Sequence, residues 1–174
     1  QDILRDIYTK LAKIKAERED VSTIYLGLVA DVELSFKQDC SLPSIARVCV
    51  TKWMQLLEFE ARYQLSRPVA STFKQSFIQA FELKEFRDEL VAVVPQEKRI
   101  CKVMSEIDDP QNETLSVFCA QELVSLPIRT ARQILKEISC SRFILKLFQT
   151  LSGMNPKSVK SYFIFLGCMV LENN

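Results

Sequence analysis

The sequence predicts an all-α protein, on three observations. Only 3 of 174 residues are glycine, whereas β-rich folds spend glycine freely on hairpin turns. Five of the six prolines, at 43, 68, 110, 127 and 156, stand where a helix can begin, because proline is tolerated in a first turn and not in a helix interior. Between them the apolar residues recur with the 3.6-residue period of an amphipathic helix.

The composition, 48% hydrophobic and 26% charged, is that of a globular protein with a real core, far from chains that remain disordered. The length fits a single all-helical domain spanning residues 1–174. The first residue is Gln1 and no charged and apolar leader follows, so the expectation is a piece of a longer protein without a signal peptide.

Ile3, Leu4, Ile7, Tyr8, Leu11 and Ile14 form the apolar stripe of a first helix, with Arg5, Asp6, Lys10, Lys13 and Glu17 opposite. Val21, Ile24, Tyr25, Leu28, Val32 and Phe36 form a second, and no strong helix breaker separates the two. Pro43 opens a third, lined by Ile45, Cys49, Trp53, Leu56 and Leu57; Phe73, Phe77, Ile78 and Phe81 line the fourth. Phe86, Leu90 and Val94 mark a short fifth, which Pro95 ends. Then come Ile100 to Ile107, Leu115 to Leu123, Ile128 to Ile138, and Phe143 to Leu151, with Gly153 as a stop. A last helix begins at Pro156. Ser41, Ser66, Asp109, Ser125 and Asn155 precede the helix-opening prolines and are the expected caps. This gives about nine or ten short-to-medium amphipathic helices of roughly 10 to 20 residues. They can stack as a solenoid-like helical-repeat array or close into a compact multi-helix bundle.

The stretch "SYFIFLGCMVL", residues 161–171, carries no charge but falls short of the ~20 apolar residues that a membrane span requires. No transmembrane segment is expected. A helix apolar all round belongs to a core, or leaves a seam of Tyr162, Phe163, Phe165, Leu166, Met169 and Val170 for a partner.

The chain contains no histidine, which removes Ser-His-Asp and Cys-His catalysis and His-containing zinc sites. Gly27, Gly153 and Gly167 cannot build a phosphate-binding glycine loop. Cys40, Cys49, Cys101, Cys119, Cys140 and Cys168 include no C-x-x-C pair, so no Cys-rich zinc site is expected, and reduced thiols fit an intracellular protein. The carboxylate groups Glu58/Glu60, Glu85/Asp88/Glu89 and Asp108/Asp109 read as solvated helix faces. Asn112-Glu113-Thr114 matches a glycosylation acceptor, but Asn112 also sits naturally at a helix start. No catalytic residue, metal or cofactor is expected, and the chain is read as a non-enzyme.

Charge is uneven. Residues 1–125 hold 16 Lys and Arg against 20 Asp and Glu, while residues 126–174 hold 7 against 2. Within that basic third, Arg129, Arg132 and Lys136 share one helical face. The leading expectation is therefore a non-catalytic scaffold or adaptor domain of an intracellular protein, in cytoplasm or nucleus. It would bind another protein, such as an acidic or amphipathic helical segment, through Arg129, Arg132 and Lys136 or through Tyr162, Phe163, Phe165 and Met169. One alternative is nucleic-acid association through the basic face, ranked lower because the whole chain has a pI near 7.7. A second is a secreted cytokine-like helical factor with paired cysteines, disfavoured by the many short helices.

Overall fold

A computed structural model describes residues 2–67 and 71–154, and every regular element among them is a helix. Eight helices follow in order: α1 (Asp2–Ser35), α2 (Pro43–Tyr63), α3 (Ser71–Phe81), α4 (Lys84–Val93), α5 (Gln96–Ile107), α6 (Glu113–Ser125), α7 (Ile128–Ile138) and α8 (Ile144–Ser152). The expected first and second helices are one: residues 17–20, Glu-Arg-Glu-Asp, contain nothing that interrupts an α-helix, and the backbone runs straight through. The helix expected from Pro156 lies outside the described residues.

The helices close around one continuous core, as a multi-helix bundle. Its centre is aromatic. Phe77 of α3 lies 5.1 Å from the Trp53 ring of α2, 5.4 Å from Phe36 just beyond α1, and 5.7 Å from Phe86 of α4. Phe81 then passes the contact on to Phe118 of α6 at 5.2 Å, edge to face. The far side of the core is aliphatic: Ile100, Val103 and Ile107 of α5 and Ala131, Ile134, Leu135 and Ile138 of α7 are all buried. Leu115, Cys119 and Leu123 of α6 and Leu147 and Leu151 of α8 are buried with them.

The helix ends only partly follow the expected capping grid. Pro43 is the first residue of α2, but the N-cap is Leu42 without a side-chain bond; Ser41 instead closes a small turn onto Asp39, its N–H donating to Asp39 Oδ1 at 3.0 Å. Asp109 makes the same kind of turn with Gln111, and Asn112 is the true cap of α6, accepting from the Leu115 N–H at 2.8 Å. Pro95 does more than end the preceding helix, since it is itself the N-cap of α5. A proline at that boundary loses nothing, because a helix start has backbone N–H groups to spare. Gly153 closes α8 as expected, in right-handed rather than left-handed geometry.

The α4–α5 junction is held by a buried cation. Arg99 donates from Nε to the Val94 carbonyl and from Nη2 to the Val91 carbonyl, both at 2.9 Å, satisfying carbonyls that the end of α4 leaves open. Its Nη1 donates to Glu122 Oε2 of α6 at 2.6 Å. One guanidinium thus joins three helices, and removing it would strand both the carbonyls and the Glu122 charge. Arg99→Met is expected to lower the urea unfolding free energy by about 3 kcal/mol, the cost of breaking a buried charged pair. A loss below about 1 kcal/mol would mean that water replaces the guanidinium.

Candidate functional site

Arg129, Arg132 and Lys136 are all exposed on one face of α7, as their spacing requires. The face is not uniformly basic. Arg129 borders an open depression whose wall also holds Glu97 of α5 and Glu137 of α7. Lys146, another member of the basic third, is ion-paired with Glu113 of α6. Tyr162, Phe163, Phe165 and Met169 lie outside the described residues.

The expected solvated carboxylates divide. Glu60 accepts from Arg67 Nε at 3.3 Å, and Glu89 from Arg47 Nε at 3.1 Å, both from partly buried positions. A carboxylate absent from that expectation, Glu106, is the most deeply buried acid among the described residues. Its Oε1 accepts from Trp53 Nε1 at 2.9 Å and from Arg67 Nη2, while the Arg67 guanidinium also lies over the Phe73 ring at 5.1 Å. Tyr25 of α1 completes the cluster; burial, and then the nearby Glu60 carboxylate, push its phenol pKa up. The cluster ties α1, α2 and α5 together, although the Tyr25 hydroxyl and Glu106 Oε2 are buried in it without a hydrogen-bond partner. Among the described residues no group of three or more acidic or cysteine side chains is placed to hold a metal ion.

The cysteines at 40, 49, 101, 119 and 140 are free thiols. Cys40 and Cys49 lie with sulfurs 3.7 Å apart, and Cys49 donates to the Ser35 carbonyl at 3.1 Å, fastening the end of α1 to α2. The sulfur contact with Cys49, together with burial, holds the Cys40 thiol pKa above its ordinary range. Burial, reinforced by the Glu137 carboxylate, pushes Cys101 up to about 12. Asn112 is equally withdrawn, only 8% exposed with its amide oxygen committed to the α6 cap, which leaves no room for a glycan.

The apolar stripe that the sequence places on the first helix is left uncovered by the described residues. Every residue of α1 from Asp2 to Asp20 is exposed, and Ile3, Leu4, Ile7, Tyr8, Leu11 and Ile14 are 47–77% exposed. Two contacts set the reason. Ser35 meets Cys49 and Tyr25 stacks near Phe59, so α2 runs antiparallel to α1 and ends, at Tyr63, level with about residue 21. The first 19 residues of α1 therefore project about 28 Å past the end of their neighbour. Contiguous exposed apolar patches of this kind make the projecting half of α1 the candidate contact surface.

Alkylation at pH 8 followed by peptide mapping checks the placement of the thiols. Cys140, the exposed one among the described thiols, is expected to react at least tenfold faster than Cys40, which the Cys49 sulfur contact and burial keep protonated, or than Cys101 and Cys119, which burial keeps protonated. Equal rates would contradict the packing of α2, α5 and α6. In comparisons with known proteins, no family model, curated protein or solved structure matches the chain.

Proposed function

We propose that the chain is a non-catalytic scaffold domain of an intracellular protein, which docks a helical partner along the projecting half of α1. The observation that supports this most is the row Leu4, Ile7, Leu11 and Ile14, exposed on a helix that nothing flanks among the described residues. A lone helix of this length is marginal in water, and burial of about 1.5–3 kcal/mol per large aliphatic side chain is the gain that a docking partner supplies. No helix among the described residues is long and apolar enough to cross a membrane. The Arg129, Arg132 and Lys136 face is a second contact surface for an acidic segment. Nucleic-acid binding there has less support, because Glu97 and Glu137 flank Arg129 and Glu113 neutralises Lys146.

The test is the size of the native complex in extracts of cells that produce the protein, read by gel filtration. Leu11→Asp with Ile14→Asp is expected to shift the protein to a smaller species while changing its unfolding free energy by less than about 0.5 kcal/mol, since both side chains already face solvent. If this variant and, separately, Arg129→Glu with Arg132→Glu and Lys136→Glu all leave the complex unchanged, the protein does not dock through these surfaces.

A further inference from the structure

The positions that face one side of α1 are Leu4, Ile7, Leu11, Ile14, Arg18, Val21, Tyr25, Leu28 and Val32, spaced alternately by three and four residues. That is a sustained seven-residue repeat, the pattern of a coiled-coil seam. The last three of these positions pack against the body of the protein, Tyr25 and Leu28 partly and Val32 fully. The seam leaves the body near Val21 and continues into solvent for the whole projecting half.

Resting on the docking role of this face, we infer that its occupant is a second copy of the same chain, laid antiparallel along residues 4–21. The charges decide the orientation. In a parallel pair, Arg18 would meet Arg18 inside one layer of the seam, and Lys10 would lie beside Lys15 of the other copy, each contact occurring between like charges. It would also bring the two helical bodies to the same end of the pair.

Turning one copy end for end removes all three conflicts. Leu4 then faces Val21 of the second copy, Leu11 faces Ile14, and Arg18 faces Ile7, so the two arginines occupy separate layers. Along the flanks Lys10 meets Glu17, Tyr8 meets Lys15, and Ile3 meets Ile24, and each pair is repeated by the two-fold axis. Ile24 is 52% exposed and lies off the main seam, so this arrangement also accounts for a large apolar side chain that the body leaves open. The two bodies then sit at opposite ends, with the seam between them.

Sedimentation equilibrium of the purified 174-residue chain, with a charge-reversal cycle, tests the inference. The wild-type chain is expected to form a dimer, and Leu11→Asp to be a monomer with an unchanged circular dichroism melt. Lys10→Glu and Glu17→Lys are each expected to weaken the dimer, by roughly tenfold for two symmetry-related pairs turned from attraction to repulsion, and the double reversal to restore it. Lys10→Glu tightening the dimer would mean parallel packing and overturn the inference. So would a dimer indifferent to Leu11→Asp, which uses another surface. A wild-type chain that stays monomeric to about 100 μM overturns it as well, since a dissociation constant above that corresponds to little more than about 5 kcal/mol. In that last case, loss of the cellular complex on Leu11→Asp with Ile14→Asp keeps the docking role and removes only the second copy; an intact cellular complex removes both.

Discussion

The aromatic cluster around Phe77 is the constraint on which the rest of the fold depends. Phe36, Trp53, Phe73, Phe81 and Phe86 all lie within 6.5 Å of its ring, centroid to centroid, and they come from α2, α3, α4 and the end of α1. Large rings packed at such distances contribute several kcal/mol each, so the hub decides which parts of the neighbouring helices are inside. It takes hold of α1 only at the C-terminal end, through Val32 and Phe36. The projecting half is a consequence: a 34-residue helix fixed at one end against a 21-residue neighbour must overhang it.

Polar side chains then fix what the aromatic hub leaves adjustable. Glu106 holds Trp53 and Arg67, and Arg99 holds the end of α4 against α6. Such buried charges are stabilising only while every partner is present, so they specify one relative arrangement of helices more than they add to its stability. Together the two clusters make the body of the protein a rigid base, and the orientation of α1 inherits that rigidity through Tyr25, Leu28 and Val32.

Much of this was legible in the sequence. The all-helical class, the buried faces of α5 and α7 and the start of α6 follow from periodicity and helix-end chemistry, because those signals are local. Asn112 could be placed at a helix start from its neighbours alone. The caps expected at Ser41 and Asp109 failed for an equally local reason, since both side chains serve small turns one step earlier in the chain. The pairings of Glu106 with Trp53 and of Arg99 with Glu122 gave no sign, because they join residues 53 and 23 apart and no spacing rule reaches that far. The α1 stripe was visible but its surroundings were not: periodicity marks a face as apolar without saying what covers it. The distinguishing signal was the repeat itself, seven residues over nine successive positions, which belongs to a helix pairing along its length more than to one lying on a globular core.

The most direct test of the central claim, that two copies of the chain associate along the projecting half of α1, is amide hydrogen exchange followed at several protein concentrations. Residues 4–18 are expected to be protected when the chain is concentrated and to lose that protection on dilution, while residues 25–35, held by the body, exchange at the same rate throughout. Protection of residues 4–18 that does not change with concentration would mean that the chain covers the stripe by itself. Either that result or the absence of protection at any concentration would contradict the account.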